Sequence, residues 1–443
     1  SRMSDRIASA VPPGPSTSSA RPRVVIVGGG FGGLQAARAL GGAEVDVTLV
    51  DRRNHHVFQP LLYQVATAGL SPSEIASPIR WILRKQPNVT VLLGDVTRID
   101  RDARVLYLDD GSTIAYDFAI VAAGATHAYF GHDDWRDHAP GLKTMEDALH
   151  IRRRVLLAFE EAERGARDTH RGNPGGLLTF VIVGGGPTGV ELAGSLAEIA
   201  RHTLRHDFRR IDPSKASIVL VEGGPRVLSA FSEDHSAFAA RALARLGVTV
   251  RTGAVVTAVD DEGVTIREEG GAESRIASRT VLCAAGGAAS PLGGTVSSRV
   301  DRAGRVQIRP DLTIEERDDL FVVGDLATLQ APDGRPYPGV AQVAMQQGAH
   351  AAKNILRRIA GQPMTPFRYR NYGNMATIGR AKAVADFGWL ELKGYVAWLA
   401  WLFVHVLKLI GFRNRLSVMI QWAWAYFSYQ RAARLITDED APR

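Results

Sequence analysis

Two clusters of glycine carry the first chemical signal. Gly28-x-Gly30-x-x-Gly33 and Gly184-x-Gly186-x-x-Gly189 share one spacing and begin about 155 residues apart. In each, a run of large apolar residues precedes the first glycine and a helical pattern follows. At such a junction the first glycine permits a tight turn, the second lets backbone approach a pyrophosphate, and the third lets helix and strand pack closely. The helix start then offers free N–H groups and the positive end of its dipole to phosphates. An acid ends the next apolar run in both copies: Asp51, 18 residues after Gly33, and Glu222. A carboxylate there accepts both ribose hydroxyls. One glycine-rich turn needs no ligand, but two with the same flanks and the same acid predict two dinucleotides on one chain. The economical pairing is a bound flavin dinucleotide, FAD, and a diffusible nicotinamide one. Glu222 would repel a 2′-phosphate, so NADH is expected over NADPH, although Arg226 stands near enough to bear on that preference.

The elements around these turns read as repeated βαβ units. Residues 23–29 and 45–51 are near-continuous apolar runs flanking FGGLQAARAL, and residues 177–185 and 216–224 repeat the arrangement around PTGVELAGSLAEIAR. Such runs suit parallel strands covered on both faces. The expected fold class is therefore α/β with two Rossmann-like dinucleotide-binding domains. Further strands are expected over 90–100, 104–124 (a hairpin about Asp110-Gly111), 247–260 and 279–287, with a charged connecting helix over 144–167 and a linker over 168–176.

Residues 318–327, DDLFVVGDLA, return to a buried strand ending in Gly-Asp. They resemble the strand that closes the flavin site in flavoproteins with two dinucleotide folds. Asp325 would then bond the ribityl or pyrophosphate segment; a cap on the next helix is the other reading of the bare residue. That resemblance places FAD on the N-terminal cluster and inserts the NADH domain within the FAD domain. Gln342 and Gln346 share a helical face at i and i+4. Their helix starts after Pro338-Gly339, so its N-terminus is positioned to stabilise negative charge on a reduced flavin.

With those residues in hand, the chain resembles the type II NADH dehydrogenases, single-subunit NADH:quinone oxidoreductases, over about residues 23–435. The match rests on HHVFQPLLYQVATAGLSPSEIASPIR (55–80), GGGPTGVELAG (184–194), VVGDLA (322–327) and GVAQVAMQQGAHAAKNI (339–355). The resemblance implies hydride transfer from NADH to FAD, then two electrons and two protons to quinone without proton pumping. It also implies Gln342 and Gln346 at the flavin and quinone head and Glu191 near the nicotinamide. As a bare residue, Glu191 would equally complement a helix dipole. Lys382 lies near a quinone-site segment of the family, and Val96, Ala123 and Gly286 complete the expected cofactor contacts. The expected domains are an FAD domain over 23–143 and 291–379, a connector over 144–176, an NADH domain over 177–290 and a C-terminal membrane-anchoring region over 380–443. A disordered arm, 1–22, precedes them. A homodimer built on the C-terminal region is implied too.

The C-terminal region changes character. Residues 393–435 hold four of the seven tryptophans, and residues 380–437 hold eight Lys/Arg against two acids, nearly the whole net charge of +7. Lys393, His405 and Lys408 fall on one side of a helical wheel, and Ser417, Gln421 and Ser428 form a second polar stripe. These are the marks of helices lying in a membrane interface, with Trp at headgroup depth and Arg/Lys on anionic lipid. A core hairpin and a transmembrane span are the other readings. With no apolar leader, the expected place is the cytoplasmic side of the cell inner (plasma) membrane, peripherally bound. Cys283 is the only cysteine, which excludes an intrachain disulfide and argues against cysteine-pair chemistry such as that of disulfide reductases. The 12 histidines are scattered, so no metal site is expected. No recognition motif supports nucleic acid. The competing functions are a flavin reductase of a soluble acceptor such as ferredoxin, and a slow flavoprotein redox sensor.

Overall fold

The structure, a computed structural model, describes residues 21–166, 176–428, 431 and 433–436. Most of the arm expected over 1–22 and of the linker expected over 168–176 lies outside the described residues.

Apolar runs of four to six residues form the two parallel sheets, and the central strands are buried on both faces. The larger has the order Thr313–Ile314, Arg317–Val322, Phe118–Val121, Arg23–Val27, Asp46–Asp51, Val89–Leu93. All its pairs are parallel except the short edge strand Thr313–Ile314. Val24 and Ile26 at its centre are fully buried. The smaller sheet has the order Val248–Thr252, Ser217–Glu222, Thr179–Val183, Thr280–Cys283, all parallel. In both, the strand before the glycine turn has its βαβ partner on one side and a later strand on the other. That reversal of strand order is where open α/β sheets bind ligands.

The connecting helix spans Met145–Gly165, with Thr144 and Asp147 forming a reciprocal capping box at its start. The helix Ala341–Ile359 crosses the first fingerprint helix, Phe31–Leu40. A Cβ on Gly348 would stand 2.0 Å from the Gly32 carbonyl oxygen, so only glycine permits the contact. The run 104–124 divides. Val105–Leu108 and Thr113–Ala115 pair as the expected hairpin, but Phe118–Val121 leaves for the large sheet.

A three-stranded antiparallel sheet, Asn374–Thr377, Ala383–Asp386 and Glu391–Gly394, carries the chain into two helices, Tyr395–Lys408 and Phe412–Ser428. Here the expected polar faces need correction. Lys393 belongs to the sheet and pairs with Asp234. His405 stacks on Trp401 at 4.3 Å and meets the Phe58 ring edge-on. Its Nδ1 bonds the Trp401 carbonyl oxygen, and burial lowers its pKa to about 4, so it is neutral and faces inward. Ser417 donates to the buried Glu74 at 2.8 Å. The polar stripe of the second helix thus begins on the protein, while Met419, Ile420, Trp424 and Phe427 are exposed.

Candidate functional site

The first glycine turn has the three roles its spacing requires. Gly28 has φ +98°, and a Cβ there would lie 2.4 Å from the Ala122 carbonyl oxygen. A Cβ on Gly33 would lie 1.8 Å from the Gly28 carbonyl oxygen, so helix and strand touch through glycine alone. At Gly30 a Cβ meets nothing within 4 Å. That open face is what a close-approaching pyrophosphate requires. Asp51 accepts from the Gly29 N–H at 2.5 Å and from the Arg53 N–H at 2.7 Å, which fixes the carboxylate at the crevice mouth.

The second turn repeats this geometry. Gly184 has φ +108°, a Cβ on Gly189 would lie 1.8 Å from the Gly184 carbonyl oxygen, and one on Gly186 meets nothing within 4 Å. Glu222 accepts from the Gly185 N–H at 2.5 Å and from the Gly224 N–H at 2.6 Å. Arg226 points elsewhere: its guanidinium donates to the carbonyl oxygens of Phe231 at 2.8 Å and Ser229 at 3.0 Å. Those bonds hold the one cation beside Glu222 that bore on a 2′-phosphate.

A crevice of about 480 Å³ runs along the first cradle. Gly28, Gly30, Asp51, Val96, Ala123 and Asp325 all line it. Asp325 does not cap the next long helix, Ala341–Ile359, which follows Val340 and has no side-chain cap. The open Gly30 face, the fixed Asp51 and the cations Arg52, Arg53 and Lys143 on the walls fit an elongated, anionic dinucleotide. His56, not singled out in the sequence, is buried, and its Nδ1 bonds the Gly29 carbonyl oxygen at 3.0 Å. Burial depresses its pKa to about 4, so a neutral imidazole braces the turn.

A second cavity, of about 110 Å³, lies between the second fingerprint helix and the C-terminal hairpin. Trp398, Trp401, Trp422 and Tyr426 form aromatic walls, and Glu191, Tyr63 and Arg431 supply polar groups. Glu191 stands past the first turn of its helix, Pro187–Glu198, so it does not serve the dipole. It lines the cavity, and burial raises its pKa to about 8. A chain of bonds joins hairpin to site. Trp422 donates to Gln64 at 2.7 Å, Gln64 donates to the Tyr63 hydroxyl at 3.0 Å, and Tyr63 meets Thr377 Oγ1 at 3.0 Å. Arg431 bonds Thr67, Ser195 and Glu198.

Gln342 and Gln346 do share a face, and that face holds backbone. Gln342 donates to the Gly373 carbonyl oxygen at 2.8 Å and accepts from the Tyr372 N–H at 3.2 Å. Gln346 makes both bonds to Arg370 at 2.9 Å. Neither lines the crevice or the aromatic cavity; Ala341 and Ala344 of the same helix do line the crevice. Gln347, not singled out in the sequence, accepts from the Gly324 N–H at 2.7 Å and so braces the turn that carries Asp325. Lys382 lies in the turn after Thr377, where its carbonyl oxygen accepts from the Ile378 N–H at 2.9 Å. Gly286 follows the strand Thr280–Cys283, with φ +122°.

The pattern of the pyridine nucleotide-disulphide oxidoreductase family matches residues 22–348, and that of the NDH2 C-terminal domain matches 372–428. The type II NADH:quinone oxidoreductase Ndh of Mycobacterium tuberculosis is 46% identical over 95% of this chain and 91% of its own. A second M. tuberculosis type II NADH:quinone oxidoreductase, NdhA, is 45% identical over 96% of this chain and 91% of its own. The solved structure of NDH2 from Plasmodium falciparum in complex with NADH has the same fold, with a TM-score of 0.83 at 20% identity, over 94% of this chain and 100% of that one. Two cradles alike down to their hydrogen bonds, a matching C-terminal domain and close relatives over nearly the whole length lead to one assignment. This chain belongs to the type II NADH:quinone oxidoreductases, a family of single-subunit flavoproteins.

Proposed function

We propose that this FAD-dependent NADH:quinone oxidoreductase seats NADH on the Gly184–Glu222 cradle, holds FAD on the Gly28–Asp51 cradle and reduces quinone beside the Glu191 cavity. The duplicated cradle carries the reading: each acid is fixed by two backbone N–H bonds at the same place relative to its glycines. The proposed domains follow the two sheets, with the NADH domain inserted. FAD, when bound, supplies the two-electron relay between the hydride donor and the quinone. The chain's own work is to stack the reactants, exclude water and deliver protons. Steady-state turnover with NADH and a short-chain quinone, and none with ferredoxin, is the expected result. Turnover with ferredoxin alone would favour the soluble-acceptor reductase.

Glu191 is proposed as a proton-holding group at the quinone end. With its pKa near 8 it carries a proton at neutral pH. The proton also sets a stability profile. The folded state favours the protonated acid, so this contribution is complete below the ordinary carboxylate range and is lost as pH rises through 8. Glu191→Gln keeps the neutral form at every pH and is expected to flatten the fall of Tm from the ordinary carboxylate range up to about pH 8. A Tm profile parallel to wild type would remove Glu191 from that role. Gln342 and Gln346 are proposed to serve the acceptor site by holding segment 370–373, which leads into Thr377 and the cavity wall.

Glu222→Ala is expected to weaken NADH binding by roughly 1–3 kcal/mol, the range for a charged hydrogen-bond acceptor. It should also narrow the preference over NADPH, since the repelling carboxylate is gone. An unchanged NADH/NADPH ratio of kcat/KM would remove Glu222 as the ribose ligand.

The protein is proposed to bind the membrane peripherally, as its family resemblance implies. Among the described residues, no helix is long and apolar enough to cross a membrane. The hairpin is proposed to lie on the anionic lipid surface of the inner (plasma) membrane, on the cytoplasmic side. Among the described residues, Phe403, Trp424 and Phe427 are its most exposed aromatic residues, and Trp389, in the turn before the strand Glu391–Gly394, is exposed beside them in sequence. Trp81, stacked under Arg84 and adjoining Gly411 at the hairpin turn, extends that face. The homodimer is proposed on the family resemblance, and sedimentation in detergent reads it.

A further inference from the structure

Phe130 combines two unfavourable properties. Its backbone is left-handed, with φ +53°, and its ring is 70% exposed. A strained backbone persists only where its surroundings hold it in place, and such positions cluster at functional sites. The surroundings here do hold it. Ala125–His127 pairs antiparallel with Gly287–Ala289. Tyr129 is buried and donates to the Ala139 carbonyl oxygen at 3.1 Å. His132 stacks on Trp135 at 4.3 Å. An anchored loop therefore presents an apolar ring to the outside.

The ring stands at the end of the second cradle. Among the described residues, and leaving aside its chain neighbours, the one atom within 4 Å of a Cβ built on Gly286 is Phe130 Cζ, at 3.9 Å. In the four-stranded sheet, Thr179–Val183 lies between Ser217–Glu222 and Thr280–Cys283, so the switch point falls between Thr179–Val183 and Thr280–Cys283. A dinucleotide at the carboxyl ends of these strands has its adenosine ribose at Glu222 and its pyrophosphate at Gly186. Its other half must then emerge across the switch point, toward Gly286. That half is the nicotinamide riboside, and Phe130 borders it.

We infer that Phe130 is a positioning residue for NADH, its ring covering the nicotinamide half and excluding water from it. The inference rests on the reading of the second cradle as the NADH site. Stacking a flat heterocycle on an aromatic side chain changes affinity by about tenfold or more. A left-handed backbone held for this purpose trades stability for function.

The test is equilibrium binding to the flavin-loaded enzyme, with two probes. One is tetrahydro-NADH, a reduced nucleotide that gives up no hydride; the other is ADP-ribose, which lacks the nicotinamide. Phe130→Ala is expected to weaken tetrahydro-NADH about tenfold and to leave ADP-ribose unchanged, and Phe130→Tyr is expected to restore wild-type affinity. Phe130→Gly is expected to raise Tm, because glycine adopts the left-handed conformation without strain. Equal affinity of wild type and Phe130→Ala for tetrahydro-NADH, or equal losses for both probes, would overturn the inference. If neither probe binds wild type, the NADH reading of the cradle falls and takes the inference with it.

Discussion

Gly30→Val is expected to give a folded chain that purifies without flavin. The open face at Gly30 makes this sharper than a usual glycine substitution. A Cβ there meets no protein atom within 4 Å, and Gly30 is not among the glycines with positive φ. The branched side chain therefore fits the protein and occupies only the place of the pyrophosphate. Gly33→Ala is the contrasting control. Its Cβ would stand 1.8 Å from the Gly28 carbonyl oxygen, so helix and strand must separate and the chain loses stability with or without flavin. Circular dichroism and the flavin-to-protein ratio distinguish the two. A full flavin complement in purified Gly30→Val would remove FAD from the first cradle.

Replacing Phe403, Trp424 and Phe427 with serine is expected to release the protein from membranes while leaving NADH oxidation by a soluble quinone intact. Each of the three rings is more than 60% exposed, so the fold does not depend on them. A whole ring of this size carries about 150–250 Å², and only its exposed share leaves water when it enters the interface. At about 25 cal/mol per Å², the triple change removes roughly ten kcal/mol of insertion energy. The nearby Lys and Arg residues add only about 1 kcal/mol each on anionic lipid. High salt should therefore weaken wild-type binding without abolishing it. Deleting residues 390–443 would be a poorer experiment. Trp401 and Val418 lie in the same buried cluster as the second fingerprint helix, and Arg431 bonds Ser195 and Glu198 of that helix. If the triple variant sediments with anionic vesicles as wild type does, the outward face is not the lipid contact.

The glycine turns were legible because their spacing answers to sterics within one βαβ unit. Gly28, Gly30 and Gly33 each meet what their position requires, and the second cluster repeats it. Asp51 and Glu222 follow for the same local reason. The hairpin was legible as two amphipathic helices, but not in its orientation. A wheel shows that polar and apolar residues separate, not which side meets the protein. Ser417 turns inward because Glu74 lies under it, 343 positions away in the sequence. Lys393 leaves the helix because a strand pairs it with Val384. The glutamine pair was legible as a shared face, but its partners, the backbone of residues 370–373, carry no pattern in sequence. The Glu191 cavity was assembled from segments starting near residues 63, 191, 377 and 398, and no short-range spacing announces such a meeting.

The most direct test is an anaerobic absorption experiment on the purified full chain. The expected spectrum shows the bands of oxidised flavin, rapid bleaching by stoichiometric NADH, much slower bleaching by NADPH, and full recovery on adding a short-chain quinone. A spectrum without flavin bands would contradict it. So would bleached flavin that quinone fails to reoxidise while ferredoxin succeeds.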